Sequence, residues 1–74
     1  MKTAKKMFEK LGYEYEESFD GTSIYYYKKY NNLNLEIVFN KDEKNYCFTY
    51  AVKIDFKLLQ AINQQVKELG WNEN

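Results

Sequence analysis

Two short turn signals constrain this chain more than any other feature in it. Asp20-Gly21 and Asn31-Asn32 each lie between runs of β-forming residues. A two-residue type I′ hairpin turn needs positive φ at both central positions, which Gly, Asn and Asp tolerate best. Read as two-residue turns, the first pairs Phe19 with Thr22, Tyr15 with Tyr26 and Glu14 with Tyr27. The second pairs Tyr30 with Leu33, Tyr26 with Ile37 and Ile24 with Phe39. Directly opposed residues share a sheet face. One face then collects Tyr13, Tyr15, Phe19, Ile24, Tyr26, Tyr30, Leu33, Leu35, Ile37 and Phe39. With Phe39 opposite Tyr46 across the polar stretch 40–45, Tyr46, Phe48, Tyr50 and Val52 join them. A one-residue slip at either turn would scatter this set over both faces.

Glu17 and Lys28 fall on the same apolar face. They are expected at its margins, where a lysine can extend its head to water, or a bulge in the first strand can displace Glu17. The opposite face carries Glu14, Glu16, Ser18, Ser23, Tyr25, Tyr27, Lys29, Asn34, Glu36, Val38, Cys47, Thr49 and Ala51. It reads as a solvated face.

Helical patterns flank the strands. Thr3 can cap a first helix whose Ala4, Met7, Phe8 and Leu11 share one side, with Gly12 as its stop. Asp55 can cap a second, with Ile54 and Leu59 as a hydrophobic staple. Its apolar stripe is Leu58, Leu59, Ile62, Val66 and Leu69, and Gly70 ends it. In a Schellman stop the residue after the glycine packs on the residue four before the glycine, pairing Tyr13 with Phe8 and Trp71 with Val66. The predicted fold is α+β: one domain over residues 1–74, a helix, an antiparallel meander of three to four strands and a helix. Both helices are expected on one face of the sheet, with the strands ordered as in the chain.

Composition narrows the chemistry. A chain of 74 residues buries only about 60% of the surface its unfolded form exposes, so its stability is expected to be marginal. Cys47 is the only cysteine and histidine is absent, so neither an intramolecular disulfide nor a Cys/His metal site is available. No cofactor is expected. Eight tyrosines, five phenylalanines and one tryptophan supply the core instead. Cys47 itself reads as a small buried or half-buried strand residue.

The eleven cations balance eleven acids, and every cation is lysine. Without a net positive field or a guanidinium, a dedicated nucleic-acid binder is disfavoured. No apolar run is long enough to span a membrane, and no signal-peptide core follows the first lysines. The expected location is the cytoplasm, that of the host cell if a phage encodes the chain.

Little here carries catalysis. Glu14/Glu16 and Asp42/Glu43 are carboxylate pairs, but a small open sheet offers them no evident cleft. Nucleophilic triads lack a base, and Gly12, Gly21 and Gly70 have no phosphate-loop spacing. A non-enzymatic role is expected. The lysines Lys2, Lys5, Lys6 and Lys10 read first as the solvated side of a helix, and otherwise as contacts for an acidic partner or phosphate.

The run Ile24-Tyr25-Tyr26-Tyr27-Lys28-Lys29-Tyr30 stands out. Strand propensity alone accounts for half its rings. The other half point to a surface: Tyr25 and Tyr27 would stand on the open face beside Lys29, Glu36 and Val38, and tyrosine is enriched in protein interfaces. The same rings, with Lys28 and Lys29, suit stacking on single-stranded nucleic acid, although Glu14, Glu16 and Glu36 would repel phosphate. A homodimer through an edge strand or the open face is the third alternative.

Three segments carry a resemblance: Met7-Phe8-Glu9-Lys10-Leu11-Gly12-Tyr13-Glu14, the tyrosine-rich hairpin, and the stretch from Leu58 to Trp71. Together they resemble short proteins carried by phages and prophages of low-GC Gram-positive bacteria. The resemblance implies a small accessory protein that binds, and in some cases inhibits, a host protein. It brings no functional residue with it.

Overall fold

The structure, a computed structural model, describes residues 2–50 and 53–71. Helix α1 spans Ala4–Lys10, followed by strands β1 (Glu14–Glu17), β2 (Ser23–Tyr30), β3 (Leu33–Asn40) and β4 (Asn45–Phe48), and by helix α2 (Phe56–Glu68). The four strands form one antiparallel sheet in the order β1-β2-β3-β4. The fold is therefore the expected α+β meander between helices.

Both caps lie where the sequence places them. The Thr3 hydroxyl accepts from the Lys6 amide at 3.3 Å. The Asp55 carboxylate accepts from the Leu58 amide at 2.9 Å. Both stops are Schellman motifs, with Tyr13 N–H donating to the Phe8 carbonyl and Trp71 N–H to that of Val66. The Tyr13 ring meets Phe8 edge-on at 5.6 Å. The second helix also caps the first across the chain. Glu68 of α2 accepts from the Ala4 amide at 2.7 Å, setting a carboxylate on the otherwise unsatisfied N-terminal amides of α1.

The core lies between this helical layer and one sheet face. Ala4, Phe8, Tyr13, Ile24, Tyr26, Ile37, Phe39, Leu58, Ala61 and Ile62 are buried in it. Phe8 stacks on Tyr26 with centroids 3.9 Å apart. The Tyr26 hydroxyl donates to Gln65 Oε1 at 2.6 Å, and burial pushes this phenol far above its usual pKa. Gln65 and Ala61 complete the buried stripe of α2, which the apolar pattern alone does not mark. Leu59 instead faces out, as does Ile54, so the expected staple residues are both exposed.

Both hairpin registers match the turn arithmetic: Tyr15 opposes Tyr26, Tyr26 opposes Ile37 and Phe39 opposes Tyr46. Asn31 and Asn32 both have positive φ, as a type I′ turn demands. The first turn differs. Only Gly21 has positive φ there, and the loop covers residues 19–22, closed by Ser18 N–H donating to the Ser23 carbonyl. Asp20 is the reason. Its carboxylate accepts from the Thr22 amide and from the Ser18 and Thr22 hydroxyls, an Asx arrangement that competes with the tighter turn. Phe19 consequently sits at the loop tip, fully exposed rather than on the apolar face.

No bulge displaces Glu17, since β1 pairs without interruption. Glu17 stays at the sheet edge, where Tyr15 Oη donates to it and Lys41 lies at 3.5 Å. These partners, Tyr15 foremost, hold its pKa below the usual carboxylate value. The Thr22 amide, then the Thr22 and Ser18 hydroxyls, do the same for Asp20. A depressed folded-state pKa contributes stability that is present above the unfolded value, near about pH 4, and is lost as pH falls through the folded value. The urea midpoint is therefore expected to fall on acidification below about pH 4. Asp20→Asn should flatten part of that fall; a pH profile superimposable on the parent's would refute the role given to Asp20.

Candidate interaction surface

The face opposite the helices is built from two cross-strand rows. Glu16, Tyr25, Val38 and Cys47 stand in register across β1 to β4. Glu14, Tyr27 and Glu36 form the second row, extended by Thr49, whose amide donates to the Glu36 carbonyl at 2.9 Å. Lys29 opposes Asn34 one step further along the hairpin. All five residues expected to form a binding surface, Tyr25, Tyr27, Lys29, Glu36 and Val38, thus share this face. Tyr25, Tyr27, Glu36 and Val38 are half-buried by their neighbours on the two central strands; Lys29 is exposed.

Electrostatically this face is acidic. The Glu14 carboxylate, followed by desolvation and Glu16, raises the pKa of the Tyr27 phenol. Glu14, Glu16 and Glu36 line a shallow trough together with Tyr27, Lys28, Lys29 and Asn34, which runs on to Leu11 and Gly12. Among the described residues the only ion pair is Glu17 with Lys41, so none of these three carboxylates has a cation within 4.0 Å. Lys28 also lines this trough, although its strand position belongs to the other face and its ammonium is engaged there. Its ammonium turns to the helical side, donates to the Leu11 carbonyl at 3.1 Å and lies 4.7 Å from the centre of the Tyr13 ring. That settles the apparent flaw of a lysine in the apolar row, and it gives partners to the ammonium of one of the two lysines a nucleic-acid site would use.

Cys47 is exposed rather than buried or half-buried, because β4 is an edge strand and the residue points to the open side. Of the edge strands, β1 carries Glu14, Glu16 and Glu17, whereas β4 (Asn45, Tyr46, Cys47 and Phe48) carries no charge. Charged edges resist pairing with another strand, so β4 is the less protected edge. Ala51 and Val52, assigned to the two faces from sequence, lie outside the described residues.

One feature escapes the turn arithmetic. β2 and β3 each have eight residues, while β1 and β4 have four and flank only the half nearer Ile24 and Phe39. The other half of the hairpin projects beyond its neighbours. Tyr30, Leu33 and Tyr50, expected beneath the helices, are exposed there and line a groove with Leu11, Tyr13, Leu35 and Leu58, together with Lys28, Lys53 and Asp55. Strand and helix lengths could have signalled this. An eight-residue strand runs about 27 Å and the seven-residue α1 only about 10 Å.

Glu14 and Glu16 are exposed. Among the described residues no three His, Cys, Asp or Glu side chains gather as metal ligands would, and no helix is long and apolar enough to cross a membrane. Comparison with protein-family models, curated proteins and solved structures gives no match.

Proposed function

We propose that this chain is a small, non-enzymatic binding module whose open sheet face engages a protein partner. We further propose that it is an accessory protein of the phage and prophage type, acting in the host cytoplasm on a host protein and, in the stronger form, inhibiting it. The observation that supports binding is the centre of the open face. Tyr25, Tyr27 and Val38 stand there together on the two central strands, away from both helices and bordered by glutamates, Lys29 and Asn34. Half-covered aromatic residues inside a polar rim are the usual composition of a protein interface.

Single-stranded nucleic acid fits the same face less well, because three carboxylates flank Tyr27 and Tyr25, while of the two nearby lysines the Lys28 ammonium is already engaged on the helical side. The test is affinity capture from a Gram-positive host lysate with the parent chain and with Tyr25→Ser/Tyr27→Ser. Two interface tyrosines are each worth about 2 kcal/mol when they are hot spots, so the variant should weaken capture by at least roughly a hundredfold. Its circular dichroism should be unchanged, since neither ring enters the core. Equal capture by the folded variant would move the site elsewhere. Recovery of the chain itself alone would point to self-association, for which the uncharged β4 edge is the natural seam.

A further inference from the structure

We propose that the occupant of the open face is a cationic segment of the partner protein, which lays Arg or Lys side chains over Tyr25 and Tyr27 between the carboxylates of Glu14, Glu16 and Glu36. This rests on the open face being the binding surface, and it adds the chemistry of what binds there.

The geometry supplies the recognition. Tyr27 stands in register between Glu14 and Glu36, and Tyr25 stands between Glu16 and Val38. Directly opposed side chains in an antiparallel pair lie about 5 Å apart at Cβ, so each ring has a carboxylate within reach of a cation placed on it. A guanidinium or ammonium over a tyrosine ring gains from the ring's quadrupole, and a neighbouring carboxylate adds a charge-assisted hydrogen bond.

The same molecule twice sets one of its own lysines over a tyrosine ring, once beside a carboxylate. Lys5 lies 4.7 Å from the centre of the Tyr15 ring, and Tyr15 is hydrogen-bonded to Glu17. Lys28 lies 4.7 Å from the centre of the Tyr13 ring and donates to a carbonyl. On the open face the rings and carboxylates are in place and, among the described residues, no cation pairs with them. Glu14 foremost, then desolvation and Glu16, raise the Tyr27 phenol, in keeping with that placement of charge.

Charge placement agrees. Lys2, Lys5, Lys6 and Lys10 are exposed on or beside α1, on the helical side, so a chain with zero net charge is electrically two-sided. Complementary fields of this kind steer a partner to one face and raise its association rate. A phosphate backbone would meet the wrong sign.

The experiment is an NMR titration of the full ¹⁵N-labelled chain at low salt with three probes: a capped hexa-arginine peptide, a capped hexa-glutamate peptide and an oligothymidylate. Hexa-arginine should shift the amides of Glu14, Glu16, Tyr25, Tyr27 and Glu36. Exposed ion pairs and cation–π contacts are individually weak, so Glu14→Gln/Glu16→Gln/Glu36→Gln should weaken this binding roughly tenfold and physiological salt should weaken it several-fold. Shifts spread equally over Asp42, Glu43 and Asp55, an unaffected triple variant, or equal shifts with the glutamate peptide or oligothymidylate would overturn the proposal.

The triple variant also separates this inference from the reading beneath it. Lysate capture that depends on Tyr25 and Tyr27 but is unchanged by the three glutamine substitutions would keep the binding face and discard the cationic partner. Capture that needs both the tyrosines and the carboxylates would support it.

Discussion

Phe8→Ala is expected to remove most of the stability of this domain. The ring is fully buried, stacks on Tyr26 at 3.9 Å and meets Tyr13 and Phe39 edge-on at 5.6 and 6.3 Å. Truncating a buried phenylalanine costs about 3–5 kcal/mol, partly for the lost transfer energy and partly for the cavity. A 74-residue chain has about 4–11 kcal/mol in total, at the usual stability per residue. The effect is compounded in α1, which has seven residues and is too short to be stable by propensity. It is a helix because Ala4 and Phe8 anchor it on the sheet and Glu68 holds its first amide. Urea unfolding followed by circular dichroism should show the midpoint falling by roughly half or more. A loss under about 1 kcal/mol would mean that the Phe8 cluster does not carry the core.

The second large effect is expected at Gln65, the one buried polar residue among the described residues. Gln65 is 4% exposed and accepts a 2.6 Å hydrogen bond from Tyr26, which is 1% exposed. Either Tyr26→Phe or Gln65→Leu leaves the other group without its partner in an apolar setting, at about 1–3 kcal/mol. Combining the two removes both polar groups at once and should cost less than the sum. A double-mutant cycle read by urea unfolding should therefore show coupling of at least about 1 kcal/mol. Strict additivity would refute a direct buried bond.

The pairing of the sheet was legible in the sequence because two turns had to agree. Each turn proposes a register, and only one combination puts Tyr15, Ile24, Tyr26, Ile37 and Phe39 on the same side. The caps Thr3 and Asp55 and the stops Gly12 and Gly70 were legible because each uses side-chain or φ chemistry local to a few residues. The five residues of the open face followed from the register alone.

What escaped was set by longer-range geometry or by competition. Asp20 favoured its own hydrogen bonds over the tight turn and carried Phe19 to the loop tip. Gln65 is polar, so a stripe drawn from apolar residues passes over it, although its spacing from Leu58, Ala61 and Ile62 is helical. Tyr30, Leu33 and Tyr50 alternate correctly, yet alternation says only which side a residue takes, not whether anything on that side reaches it. That no cation among the described residues pairs with Glu14, Glu16 or Glu36 needed coordinates, because the sequence offers eleven lysines that could answer them.

The bond between Glu68 and the amide of Ala4 has a practical corollary. It brings the first and last helices side by side, so Thr3 and Trp71 both stand in the helical layer, Thr3 at its rim and Trp71 with its ring 6.2 Å from Phe39 on the covered side of the sheet. Probes placed at Thr3 and at Trp71 would therefore report the docking of α1 against α2 from the side of the sheet opposite Tyr25 and Tyr27.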